Sequence, residues 1–277
     1  MDDATFEALK RSLTRLIGLD LDGYKQMQMR RRVETFVAKH CGTPAAFIER
    51  LARDPALLQA TRDMLTINVT EFFRDAAQWD LLQTSILPSL LRRRRSLAVW
   101  SAGCSHGQEP LSLAMLLDEA GALPRTRLLA TDFDQAALRR VSIGGPYAEE
   151  ELRGVSEARL ARYFTRHDEL YRADARLLRR STFRELNLLD DCAGVDRDVE
   201  DFDQAFDLIA CRNVMIYFET DAKAALIRRL RAALRPGGVL FIGATEALLG
   251  ADASGWERLG GNFYARSAEA RTRRPAA

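Results

Sequence analysis

Apolar positions in the first part of the chain recur at intervals of three and four, the spacing of one face of a helix. Phe6, Leu9, Leu13, Leu16 and Ile17 form one such face, and Met27, Val33, Phe36 and Val37 form a second. Phe47, Ile48 and Leu51 open a third, and Leu57, Leu58, Met64, Leu65 and Ile67 make a fourth. Gly42, Pro44 and Pro55 punctuate these segments, as breakers between helices do. No strand alternation interrupts them, so residues 1–85 are expected to form a small N-terminal helical domain. A helix with Trp79, Leu81, Leu82, Ile86 and Leu87 then leads to Pro88 and to the run Arg92-Arg93-Arg94-Arg95, which reads as solvated linker.

Beyond that run the period changes. Leu97 to Trp100 are apolar and suit a buried strand at about 97–101, and a helix at about 108–120 presents Leu111, Leu113, Ala114, Leu116 and Leu117. A second strand, Leu128 to Thr131, ends at Asp132 and precedes a helix at about 134–142. The polar region from 144 to 182 predicts a helix over Arg159 to Phe164 and short antiparallel strands at Leu170-Tyr171 and Leu177-Leu178. Further strand signals lie at Phe183 to Leu188, Phe206 to Cys211 and Val239 to Gly243, with an amphipathic helix from Ala222 to Leu234. Arg235-Pro236-Gly237-Gly238 reads as the turn after that helix, and Asn262 to Ala265 closes the sheet. Strands alternating with helices predict an α/β, Rossmann-like domain over residues 86–267, with 160–185 as a small β subdomain and 268–277 as a frayed tail.

Composition narrows the classes. The net charge is +2, from 41 basic and 39 acidic residues, which argues against a general nucleic-acid binder while leaving room for local basic patches. No apolar run is long enough to span a membrane, and Met1-Asp2-Asp3 opens no signal peptide. Cys41, Cys104, Cys192 and Cys211 are scattered without C-x-x-C spacing, so reduced thiols and a cytoplasmic setting are expected. His40, His106 and His167 form no metal or catalytic set, and there is no G-x-S-x-G elbow.

The chemistry concentrates at predicted strand ends. Ser101-Ala102-Gly103-Cys104-Ser105-His106-Gly107-Gln108-Glu109 joins the first strand to its helix, yet it lacks G-x-G-x-x-G. Glu109 stands at the helix start, where it repels phosphate and favours a cation. The loop therefore suits a cofactor with an adenosine and a positive charge, such as S-adenosylmethionine, better than NAD or ATP. Glu109 is equally explained as a complement to the helix dipole. Asp132 either accepts the ribose hydroxyls or caps the next helix, a task Asp134 also suits. Asn187-Leu188 either brackets an adenine or forms an ordinary turn. Arg212, Asn213 and Tyr217 follow a buried strand, where polar groups tend to face a ligand. Asn68, Thr70 and Arg74 flank Phe72-Phe73 as a lid over the site, or Thr70 caps a helix whose aromatics are core. Arg30-Arg31-Arg32 is a solvated face or a dock for an acidic partner.

In order, Asn68-x-Thr70-x-Phe72-Phe73-Arg74, Trp100-Ser101-Ala102-Gly103 with Gly107-x-Glu109-Pro110, Ala130-Thr131-Asp132-x-Asp134, and Phe206-Asp207-Leu208-Ile209-x-Cys211-Arg212-Asn213-Val214-Met215-Ile216-Tyr217-Phe218 resemble the CheR-type chemoreceptor methyltransferases. The resemblance covers residues 5 to 267. It implies an all-helical domain joined to an S-adenosylmethionine-binding domain, and methyl transfer to receptor glutamates. It implies cofactor contacts from Asn68, Thr70, Arg74, Glu109, Asp132, Asn187, Leu188, Arg212 and Asn213, with Arg74 and Tyr217 nearest the methyl. It also implies that Arg30, Arg31 and Arg32 meet the cytoplasmic domain of a methyl-accepting receptor. Some members grip a receptor pentapeptide with a β subdomain. Here that segment is short and lacks a Gly-rich connection at Thr165 to Leu170, which puts such tethering in doubt.

Overall fold

The computed structural model describes residues 1–66, 68–190 and 206–267. Ile67, Asp191, Cys192 and the expected tail at 268–277 lie outside the described residues. Four helices come first: α1 (Asp3–Ile17), α2 (Gln26–His40), α3 (Pro44–Leu51) and α4 (Pro55–Thr66). Asp2 caps α1 by accepting from the Thr5 amide, and Gly18 ends it in the left-handed region at φ 80°, the usual pairing of a polar N-cap with a C-terminal glycine. The stripes read from the sequence meet in one core, in which Leu9, Leu13, Val33, Phe47, Leu51 and Leu65 are buried, except that Met27 is exposed and Met29 takes its place on the buried face of α2.

The next helix is one rod with a defect. It runs through α5 (Ala76–Leu81), a π-helical turn (Leu82–Ile86) and α6 (Leu87–Arg93). Pro88 does not stop it, because the wider π-helical turn just before it takes up the bonding mismatch that a proline inside a helix creates. Phe72, Phe73, Trp79, Leu82 and Ile86 pack with the sheet core, so this rod sides with the sheet rather than with α1–α4. Arg92 to Arg95 are exposed, as read, and Arg94 also lies 3.6 Å from the buried carboxylate of Asp207.

The α/β unit holds β1 (Leu97–Ala102), α7 (Gln108–Glu119), β2 (Thr126–Asp132) and α8 (Gln135–Ser142). There follow β3 (Tyr147–Ala148), α9 (Glu157–Tyr163), β4 (Phe164–His167), β5 (Leu170–Ala173), α10 (Ala175–Leu178) and β6 (Ser181–Glu185). The chain ends in β7 (Phe206–Cys211), α11 (Thr220–Ala233), β8 (Leu234–Ile242), β9 (Trp256–Gly260) and β10 (Phe263–Arg266). Seven strands make one sheet in the order β6-β2-β1-β7-β8-β10-β9. The first five are parallel, β10 pairs antiparallel with β8, and β9 pairs antiparallel with β10. Every residue of β1 and β7 is buried, as expected of strands covered on both faces.

Three expectations change. Leu177-Leu178 lies in the short helix α10 and not in a strand; Leu177 is wholly buried against the sheet core. Residues 235–238 form no free turn, because β8 begins at Leu234 and they loop out between the pairs Phe206–Leu234 and Leu208–Val239, as a bulge does. The small β subdomain forms from β3, β5 and β4, spanning 147–173 rather than 160–185, while β6 joins the main sheet beside β2. Its β4–β5 hairpin closes without glycine, since Asp168 itself takes the left-handed conformation at φ 52°, which aspartate tolerates better than most residues. Strand β9, unmarked by any clear alternation, pairs with β10 at the sheet edge.

Candidate functional site

The strand order reverses between β1 and β7, and in open α/β sheets the crevice beyond the strand ends at such a point is the ligand site. A crevice opens there, where small-molecule and cofactor sites of α/β folds are commonly placed. Asn68, Thr70, Arg74, Glu109, Asp132, Asn187, Leu188, Arg212, Asn213 and Tyr217 all line it. The sequence-predicted residues, drawn from segments far apart along the chain, thus converge on one cavity. Arg30, Arg31 and Arg32 are not among its lining residues.

The β1–α7 loop forms one wall. Its glycines are needed where they stand. A Cβ on Gly103, at φ 81°, would meet Val214 at 2.7 Å, and one on Gly107, at φ 94°, would meet the Val141 Cβ at 2.5 Å. Both backbones also occupy the region that only glycine enters without cost. Glu109, 7% exposed, accepts from the Ser101 hydroxyl at 2.7 Å through one oxygen. Its other oxygen lies 3.9 Å from Arg212. Burial raises the Glu109 carboxyl above the usual range, and the Arg212 charge and the Ser101 hydrogen bond oppose that rise.

Asp134, not Asp132, caps α8, accepting from the Ala136 and Ala137 amides. Asp132 is thereby left for the cavity. Its oxygens accept from the amides of Ser105 at 2.7 Å and Asp134 at 2.9 Å. These bonds fix the carboxylate and leave lone pairs for a ligand diol. Burial pushes its carboxyl up to about 6. Asn187 folds back on its own turn, accepting from Leu189 and donating to Asp190, while Leu188 presents an apolar surface.

The opposite wall comes from the chain after β7. Arg212 is buried and donates to the Arg74 carbonyl at 2.6 Å and to Asp75 at 3.0 Å. Its guanidinium lies 4.4 Å from the Phe241 ring and 5.3 Å from that of Trp79, within cation–π reach of both. Trp79 also donates to the Arg74 carbonyl, at 2.8 Å. The Phe73 amide is held by Ser112 at 3.2 Å. Phe73 at φ 51° and Asp75 at φ 63° both sit in the left-handed region. Arg74 is thus set by a strained, multiply anchored backbone, which points to a positional task. Its own guanidinium donates to the Val69 carbonyl at 3.2 Å.

Residues the sequence did not flag complete the site. Glu246, 6% exposed, accepts from the Asn213 amide at 2.9 Å and the Gly243 amide at 2.6 Å. It holds Asn213 in its left-handed conformation at φ 60°. Tyr24, from the segment before α2, lines the cavity and meets Phe218 edge-on at 5.2 Å. The Lys25 amide donates to the Tyr217 carbonyl at 2.9 Å and the Glu219 amide to the Gly23 carbonyl at 2.8 Å, so the helical unit is sewn to the β7–α11 loop. Asn68 extends the seam, donating to Asp134 at 2.7 Å. The signal for Tyr24 is a lone aromatic between helices, and for Glu246 an acid shortly past a strand end. Neither spacing announces a site.

The donor set fits S-adenosylmethionine. The Ser105 hydroxyl and Arg212 Nε are buried in the cavity wall without a partner. Glu109 and Asp132 add carboxylates, suiting a cation and a sugar, and Leu188 an apolar face for a base. Among the described residues no cluster could hold a metal ion, and no helix is long and apolar enough to cross a membrane.

Comparison with known proteins gives the same picture. Residues 68–259 match the family described as CheR methyltransferase, SAM binding domain, and residues 4–66 match CheR methyltransferase, all-alpha domain. A chemotaxis protein methyltransferase of Listeria monocytogenes is 37% identical over 256 residues, covering 92% of this chain and 94% of its own. Chemotaxis protein methyltransferase 1 of Pseudomonas aeruginosa is 32% identical over 257 residues, 89% of this chain and 91% of its own.

Proposed function

The chain belongs to the CheR methyltransferase family and is an S-adenosylmethionine-dependent methyltransferase of chemotaxis signalling, and from that premise we propose that it esterifies glutamate side chains on the cytoplasmic helices of chemoreceptors. The observation that carries the reading is the convergence of Arg74, Glu109, Asp132, Arg212 and Tyr217 on one crevice roofed by the helical unit.

When bound, the cofactor supplies an electrophilic methyl group on a sulfonium. Asp132 binds the ribose hydroxyls, Asn187 and Leu188 the adenine, and Glu109, with Asn68, Thr70, Arg212 and Asn213 around it, the charged amino-acid end. A substrate glutamate is ionised at neutral pH, so no residue of this chain has to remove a proton. What remains is alignment and exclusion of water. Arg74 orients the incoming carboxylate through its guanidinium fork, and Tyr217 closes the wall beside it. Arg74 must not bind too tightly, because full charge neutralisation would hold back the nucleophile.

Helix α2 carries the receptor-facing role. Arg30 is paired with Asp3 at 2.6 Å and Glu34 at 3.3 Å, and Arg32 donates to the Met64 carbonyl, which leaves Arg31 exposed for an acidic helix. The proposal needs no pentapeptide tether; Asp168-Glu169 closes the β4–β5 hairpin with two residues.

Incubation with methyl-labelled cofactor and receptor cytoplasmic fragments tests this directly. Base-labile label on glutamates is expected, and label on a small carboxylate but on no fragment overturns it. Arg74→Ala should slow transfer by roughly 100-fold with affinity for the demethylated cofactor nearly intact. A loss confined to that affinity moves Arg74 to the cofactor side.

A further inference from the structure

The crevice has a lip that the cofactor contacts leave unused. Among its described lining residues only Val69 and Glu71 are exposed, and all the others are buried or half-buried. The two alternate with Asn68 and Thr70, which are half-buried. One side of this stretch therefore turns into the crevice, and the other stands at its opening. The lip also adjoins the reacting end. Arg74, the residue that orients the incoming carboxylate, donates to the Val69 carbonyl at 3.2 Å.

Val69 is 69% exposed. Met27, Ile143, Leu170, Leu249 and Leu259 are also large, apolar and exposed, but none of them lines the crevice. A valine left in water at the opening gains from whatever apolar group covers it. Glu71 sets a carboxylate two residues further on, at most about 7 Å along the chain. One helical turn rises about 5.4 Å. A helix that lays a glutamate against Arg74 therefore brings the side chains three and four residues away, which share its face, against this lip. An apolar side chain there covers Val69. A second carboxylate there meets Glu71 as a like charge.

We propose that Val69 and Glu71 are specificity-determining residues that read the substrate helix about one turn from the glutamate to be methylated: Val69 takes an apolar side chain, and Glu71 disfavours a second carboxylate. The proposal rests on the methyl transfer to receptor helices inferred above.

A charge swap across the lip tests it. One methylated glutamate of a receptor cytoplasmic fragment is chosen, and the residues three and four positions to either side are replaced in turn by Glu and by Lys. The parent chain should show a higher kcat/KM for the Lys form than for the Glu form at one or more of these positions. Glu71→Lys should move that preference at least fivefold toward the Glu form, as the sum of several exposed charge pairings. The shift should shrink in about 1 M salt, where the screening length falls to about 3 Å. Val69→Asp should raise KM for the unaltered fragment at least fivefold with kcat within about twofold. Calorimetry should show S-adenosylhomocysteine bound by Glu71→Lys as by the parent, which also shows that the variant folds. A parent that labels no fragment overturns the methyl-transfer reading and the lip with it. A parent that labels fragments, while Glu71→Lys leaves the preference at all four positions unmoved, overturns the role of Glu71 alone. Glu71→Lys that loses S-adenosylhomocysteine affinity assigns the residue to the cofactor and overturns the proposal, and Val69→Asp with an unchanged KM removes Val69 from the substrate.

Discussion

Replacing Glu246 tests how the crevice is held in shape. Its Oε2 accepts from two backbone amides, Asn213 at 2.9 Å and Gly243 at 2.6 Å, while Oε1 is buried without a partner. Glu246→Ala strands both amides. An unpaired buried donor costs about 1–3 kcal/mol, so two cost roughly 2–6 kcal/mol of stability. The left-handed Asn213 backbone also loses its clamp, and any drift moves Arg212 and Tyr217 with it. An affinity loss of at least tenfold, about 1.4 kcal/mol, is therefore expected for S-adenosylhomocysteine. Glu246→Gln behaves differently. Its amide oxygen takes the Oε2 position, and its nitrogen takes the place of the unpartnered oxygen. Stability should stay within about 1 kcal/mol of the parent and affinity within a few fold. Urea unfolding and calorimetry with S-adenosylhomocysteine read the two quantities. An alanine variant as stable as the parent, or one that binds with full affinity, refutes the clamp. So does a glutamine variant as damaged as the alanine.

Acidification should release the cofactor product as Asp132 takes up a proton near pH 6, the value to which burial raises it; calorimetry from pH 8 to 5 should show affinity falling, and a flat profile removes Asp132 from the sugar. The same group acts oppositely on folding. Its native pKa lies above the unfolded one, so its stabilising contribution is present below about pH 4 and is lost as the pH rises through about 6. Denaturation of the ligand-free chain should show no loss of stability in Asp132→Asn at pH 8 larger than about 2 kcal/mol. Gly107→Ala should cost about 3 kcal/mol, because the added Cβ would collide with Val141 from a left-handed backbone; a shift in urea midpoint equivalent to less than about 1 kcal/mol speaks against that packing.

Periodicity alone placed α1–α4, β1, β2, β7 and α11, because each buries a stripe whose repeat is written in consecutive residues. It failed at Leu177-Leu178, where two apolar residues fit a short strand or one helical turn equally well. It failed at Arg235 to Gly238, because a bulge depends on the register of the neighbouring strand and not on its own residues. Asp132 was legible as a strand-end acid, but its freedom from capping was settled only by the Asp134 hydrogen bonds. Tyr24 and Glu246 were not legible at all. Each acts through a partner far along the chain, Phe218 and Asn213 respectively, and local spacing carries no trace of that. The basic run at 92–95 is exposed as read, and only the 3.6 Å approach of Arg94 to Asp207 went unseen, because that acid lies far along the chain.

The seam between Tyr24-Lys25 and Tyr217-Glu219 has a consequence for modularity. The two family segments abut at residues 66 and 68, on the rim of the cofactor crevice. A chain begun at residue 68 would keep its parallel strands yet lack the Tyr24 and Leu65 side of the binding wall. Nor could the helical unit be exchanged between relatives without re-matching Tyr24 to residue 218. The two halves are separable in description, but they form a single working part.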